Sequence, residues 1–222
     1  GSLGFGLVFD REALAPLGRE RDQFYYRATL EGTARRRLGT GKWLVGGRAF
    51  VGVAGWDAAA PLQRQMFVAN PDPFGQLNNP FVRSLGALMV GDDMAYHAPG
   101  GGNVRGADFR LAAPGLAALN GELEFEARRK PRERLFNRLA FAGFADAAQG
   151  FGADNERPSS ERVKFVADAG VGVRASHRIG DTPFETRLDF PLYLSKPAFA
   201  RNDFARDEPF DFRWVFSVQA AF

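Results

Sequence analysis

The sequence predicts an all-β chain, an antiparallel transmembrane β-barrel with about eight strands. Three observations predict it. Eight segments alternate apolar and polar residues with period two, and in each the charged residues sit on one face. The connections between them alternate short and long. The last segment keeps its alternation from Phe210 to Phe222, far beyond the usual soluble strand of about 5–6 residues. At about 3.3 Å per residue and a tilt near 40°, it can cross the apolar slab of an outer membrane.

Composition removes several other classes. The chain has 222 residues, enough for one domain or part of one, and its 22 Phe and 26 Gly point to strands rather than helices. There is no Cys, so a disulfide scaffold, a thiolate metal site and a Cys nucleophile are excluded. The only histidines, His97 and His177, are too far apart to suggest a metal cluster. A net charge of +3, spread along the chain, does not read as a nucleic-acid footprint. No apolar run reaches the roughly 18 residues that a membrane-spanning helix needs.

The strands follow in order. Leu3, Phe5, Leu7 and Phe9 alternate with Gly4, Gly6, Val8 and Asp10. Phe24 to Arg35 places Tyr26, Ala28 and Leu30 opposite Arg27, Glu31 and Arg35. Trp43 to Gly55 sets Val45, Ala49, Val51 and Val53 against a face carrying Arg48. Leu119, Leu123, Phe125 and Ala127 oppose Glu122, Glu124, Glu126 and Arg128. Leu135 to Ala147 has Leu139 and Phe141 on one face, Arg138 and Asp146 on the other. Val163, Phe165, Val171 and Val173 oppose Lys164, Asp168 and Arg174. Phe184, Leu188, Phe190 and Leu192 oppose Glu185, Arg187 and Asp189. Last come Phe210, Phe212, Trp214, Phe216, Val218, Ala220 and Phe222, with Asp211, Arg213, Ser217 and Gln219 between them.

Sorted charges alone do not say which face is wet, because a soluble β-sandwich sorts its charges equally well. Connection lengths decide. The long ones are 11–23, 57–116, 148–162 and 195–209; the short ones are 36–42, 129–134 and 175–183. Short turns on one side and long loops on the other are the asymmetry of a membrane barrel. A Lys or Arg facing lipid at the midplane costs about 2–4 kcal/mol, and the apolar faces carry none.

The connection 57–116 is too long for an ordinary loop. It holds Gly100-Gly101-Gly102-Asn103-Val104-Arg105-Gly106, which resembles the Val-Arg-Gly-Phe/Tyr loop motif of the outer-membrane assembly and secretion barrels. These are the BamA, TamA and two-partner-secretion transporters and the related bacterial surface antigen domains. Asn120–Glu126, the Phe144-x-Asp146 stretch, Asp168–Arg174, Ile179–Gly180 and Arg187–Leu192 resemble the strands that follow in that family, in order. Trp214, Phe216, Val218 and Phe222 resemble the C-terminal signal by which such barrels are recognised. Position 107 is Ala where the family usually has an aromatic.

The resemblance covers about residues 98–222. It implies that 1–222 is a transmembrane barrel domain whose extracellular loop 57–116 folds back toward the lumen and pairs Arg105 with Asp146. From the residues alone, Asp146 could instead pair with Arg138 or another lumen charge. The family barrel has sixteen strands, so this chain looks like the C-terminal half; it reads as a fragment of a larger protein ahead of half of a two-chain barrel or an eight-strand barrel whose loop stays outside. The implied function is insertion or translocation of polypeptides at the bacterial outer membrane. Expected partners are outer-membrane lipids and lipopolysaccharide, polypeptide clients or accessory periplasmic subunits, and no nucleic acid. The alternative is a structural anchor barrel for an N-terminal enzyme, such as a patatin-like lipase or a peptidase. Within the chain no arrangement of Ser, His and acids argues for catalysis, and neither a cofactor nor a metal is expected.

Overall fold

Each long alternating segment pairs with its neighbours. The computed structural model describes residues 2–13, 22–39, 41–56, 66–68, 101–107, 112–130, 136–152, 165–179, 182–195 and 208–220. Its strands are β1 (Ser2–Ala13), β2 (Asp22–Leu38), β3 (Trp43–Trp56), β4 (Met66–Phe67), β5 (Ala112–Ala113), β6 (Gly115–Arg129), β7 (Arg138–Phe151), β8 (Phe165–Ile179), β9 (Thr182–Leu194) and β10 (Val215–Ala220). Eight of them form one antiparallel sheet in the order β1-β2-β3-β6-β7-β8-β9-β10. β4 and β5 pair with each other inside the long connection. No helix occurs among the described residues. β1 and β10 are the two edges of the sheet, and within the described residues no pairing joins them.

The register is staggered in one sense throughout. Ser2 of β1 lies opposite Thr33, and β2 runs on to Leu38. Trp43 of β3 lies opposite Phe125, and β6 runs on to Arg129. Arg138 of β7 lies opposite Ser176, and β8 runs on to Ile179. Each hairpin therefore steps further toward the short-turn end than the one before. Tilted strands in a curved wall have this stagger.

Curvature is visible in the side chains. Adjacent strands lie about 4.8 Å apart, so β6 and β9, three steps from each other, would be roughly 14 Å apart in a flat sheet. Yet Arg187 of β9 reaches Glu122 of β6 at 2.5 Å, and Arg138 of β7 reaches Glu185 of β9 at 3.2 Å. The charged face is concave. Arg48, Asn120, Glu124, Asp146, Asp168, Arg174, Arg187 and Asp189 are all buried on it, while Leu30, Val51, Leu119, Leu123, Phe141, Phe165 and Val171 stand exposed on the convex face.

Two departures from the expected sorting lie at the short-turn end. β2 runs on to Leu38, which puts Arg36 opposite Val45 on the convex face. A bulge between Glu126 and Arg128 pairs Arg128 with Leu139, so Arg128 also moves to the convex face rather than staying with the glutamates. A cation close to the end of a strand costs only about 0–1 kcal/mol in lipid, because its long stem carries the charge to water. Strand ends shift as well. β7 begins at Arg138 rather than Leu135, after Phe136 in a left-handed conformation (φ 55°), and β8 reaches Ile179, only three positions before Thr182 opens β9. β10 is shorter than expected. Residues 210–214 follow β9 through one bridge, Tyr193 to Phe210, and a hydrogen bond from the Asp211 N–H to the Leu192 carbonyl (3.1 Å).

A second bulge lies where β8 meets β9, between Ala169 and Val171. Pro191 sits in its extra residue, where the missing N–H costs no ladder bond. Opposite it, a Cβ on Gly170 would overlap the Phe190 carbonyl oxygen. Gly170→Ala is therefore expected to lower stability by about 1–3 kcal/mol, because backbone must move to admit the methyl. Urea unfolding of the purified variant measures this; an unchanged midpoint would mean that the bulge relaxes freely.

Candidate functional site

The long connection returns to the concave face and closes against it with residues 66–68 and 101–107. Its upper part is apolar: Met66, Val68 and Val104 pack with Phe50, Leu116, Ala118, Ala148 and Val166. The Gly102 N–H donates to the Phe67 carbonyl (2.8 Å) and the Val104 N–H to the Val68 carbonyl (3.0 Å). A Cβ on Gly102 would overlap the Val68 carbonyl oxygen, so only glycine allows this approach. Asn103 takes a left-handed conformation (φ 54°), which asparagine tolerates better than most residues. The Ala107 N–H then donates to the Val104 carbonyl (3.3 Å), closing a tight turn with Arg105 and Gly106 at its centre.

Arg105 is the tip, and it is 1% exposed. Its Nε lies 3.0 Å from Asp146 Oδ2, and its Nη1 lies 2.9 Å from Glu122 Oε2 and 3.6 Å from Asp189 Oδ1. The guanidinium carbon stands 4.0 Å from the centre of the Phe144 ring. Val104, Arg105, Gly106, Phe144 and Asp146 thus meet at one point, while Arg138 engages Glu124, Glu126 and Glu185. Burial disfavours the charged guanidinium, but Asp146, Asp189 and Glu122 outweigh it, holding the Arg105 pKa above its ordinary value. Gly106 is wedged in: a Cβ there would lie 3.1 Å from both Asp168 Oδ2 and Pro191 Cβ, and its N–H donates to the Asp168 carboxylate.

Several partners lay beyond the reading of the sequence. Glu122 also binds Arg174 (2.8 Å), and Asp189 binds the same arginine (2.6 Å). Asn120 Nδ2 lies 3.1 Å from the carbonyls of Gly102 and Asn103 and from Asp146 Oδ1. Arg48 donates to Asn120 Oδ1 (2.8 Å) and to the Gly101 carbonyl (2.6 Å), and pairs with Glu31 (3.0 Å). The wall therefore holds the backbone of the loop as well as its arginine. Asn120→Ala would leave two buried loop carbonyls and Arg48 short of a partner, at a cost of about 1–3 kcal/mol. Faster cleavage within 101–107 under limited proteolysis is the expected result, and unchanged resistance would remove Asn120 from the site.

At the C-terminus, Trp214 is exposed, Phe216 is half-buried and Val218 lies in β10; Phe222 lies outside the described residues, as does His97. Among the described residues no group of three His, Asp or Glu is placed to hold a metal ion. The cluster is a set of opposed charges around a turn, an arrangement that holds the loop against the wall. No protein-family model, no curated protein and no solved structure matches this chain.

Proposed function

We propose that the chain is wall and latch of an outer-membrane β-barrel of the assembly and secretion superfamily, which inserts or translocates polypeptides. The observation that carries this reading is the Arg105 tip, buried against Asp146 and Phe144 on the concave side of a sheet whose convex side is apolar and exposed. The heights agree with a membrane. On β7 the exposed Phe141 and Phe151 lie ten residues apart, about 33 Å along the strand and about 25 Å along the normal at a tilt near 40°. Both would then sit in the aromatic girdles that edge the apolar band.

The barrel is wider than eight strands. An eight-strand barrel is filled by its own side chains, and here residues 66–68 and 101–107 lie on the concave face in addition. The sheet is thus read as half of a sixteen-strand wall, with β1 and β10 each meeting a further strand. A simple membrane anchor for an enzyme has no use for a loop tip pinned by this many charges, which favours the first reading. Envelope fractionation of a Gram-negative cell expressing the protein tests it, with client translocation compared between wild type and Arg105→Ala. Recovery as a water-soluble monomer without amphiphile would sink it.

A further inference from the structure

Folding gathers charge that is dispersed in the sequence. Residues 36–42, 129–134 and 175–183, around the three short connections, carry eight Lys or Arg against two Asp or Glu, although the whole chain is only +3. Arg36, Arg37, Lys42, Arg128, Arg129 and Lys130 are all exposed. The Glu126 N–H donates to the Lys42 carbonyl (2.7 Å), which brings the two hairpin ends side by side. Arg37 and Arg129 share one carboxylate there, Glu126, at 3.4 and 3.9 Å. Glu124 and Glu185 turn inward to Arg138. The fringe is therefore net cationic.

Its position says what it meets. Arg36 and Arg128 stand on the convex face, beside the exposed Leu38 and Trp43, which lie opposite each other in register. The Trp43 ring packs against Phe125, with centroids 5.0 Å apart. We propose that this fringe binds the phosphate-bearing headgroups of anionic phospholipid, of the phosphatidylglycerol class, in the leaflet at the short-turn end. Tryptophan at the apolar boundary with cations just beyond it is the pattern of an interfacial anchor, and each such cation attracts an anionic surface. An acidic polypeptide docking on the rim would not need cations on the outward face, among acyl chains. The proposal rests on the membrane reading above.

Trp43 is the reporter. The protein, with Trp56→Phe and Trp214→Phe, is reconstituted into phosphatidylcholine vesicles containing either brominated phosphatidylglycerol or brominated phosphatidylcholine. Brominated phosphatidylglycerol is expected to quench Trp43 with a relative association constant of about 5 or more. The ratio should fall toward one in 0.5 M NaCl and in the triple variant Arg36→Gln, Lys42→Gln, Arg128→Gln. Equal quenching by the two lipids in the parent protein would overturn the proposal and leave the barrel standing. Quenching by neither would overturn the membrane reading itself.

Discussion

Arg105→Ala is expected to free the loop from the wall and destabilise the folded protein by about 3–5 kcal/mol, the cost of removing one partner of a buried ion pair. Arg105 pairs with Asp146 and Glu122 at 3.0 and 2.9 Å and stands over the Phe144 ring. Without it, Glu122 and Asp189 keep Arg174, while buried Asp146 loses the guanidinium that lies against it. Arg105→Lys should recover only part of the loss, since an ammonium is a point charge and cannot span several carboxylates while stacking on a ring. Urea unfolding in detergent micelles gives the stability, and proteinase K cleavage near residues 101–107 reports the loop. A double-mutant cycle with Asp146→Asn isolates the pair. Additive effects in that cycle would mean that Arg105 and Asp146 are neighbours without being partners, and the latch would be abandoned.

The second large effect is expected on the opposite face. Leu119 is 64% exposed, and on a soluble protein a substitution at so open a site changes stability by about 0.5 kcal/mol or less. If the convex face meets lipid, Leu119→Arg should cost about 2–4 kcal/mol, because Leu119 lies well inside β6 and the charge cannot easily reach water. Arg36 supplies an internal contrast. It occupies the same face near the end of β2, where an arginine is tolerated. Equilibrium unfolding from lipid vesicles should therefore show a loss at position 119 and a small change for Arg36→Leu. A silent Leu119→Arg would place the convex face in water.

Much of this architecture is legible in the order of the residues, and the limits of that reading have physical causes. Alternation with period two says which residues share a face, so Glu122, Arg174, Arg187 and Asp189 were all expected on the charged side. It says nothing of height. Glu122 and Asp189 join Arg105 only because the strands are staggered and the wall is curved, and both are properties of pairing. Arg128 was placed on the wrong face because one extra residue in a bulge reverses the side of everything after it. Pairing with β3 carries β2 past Arg35 to Leu38, which brings Arg36 onto the convex face. A resemblance alone points to Phe144 and Asp146, and their distance from Arg105 comes from the fold.

Residue order alone specifies an all-β chain with one apolar and one charged face, strands joined by alternating short and long connections, and a glycine-rich segment ending in Val104-Arg105-Gly106. Those are local properties, written in spacing and residue type. Folding adds that Asn120 and Arg48 grip the loop backbone, that Glu122 and Asp189 reach Arg105, and that the dispersed cations meet in a fringe beside Trp43. Each of these depends on register and curvature, which set the distance between residues remote in the chain, and no pattern along a single strand encodes that distance.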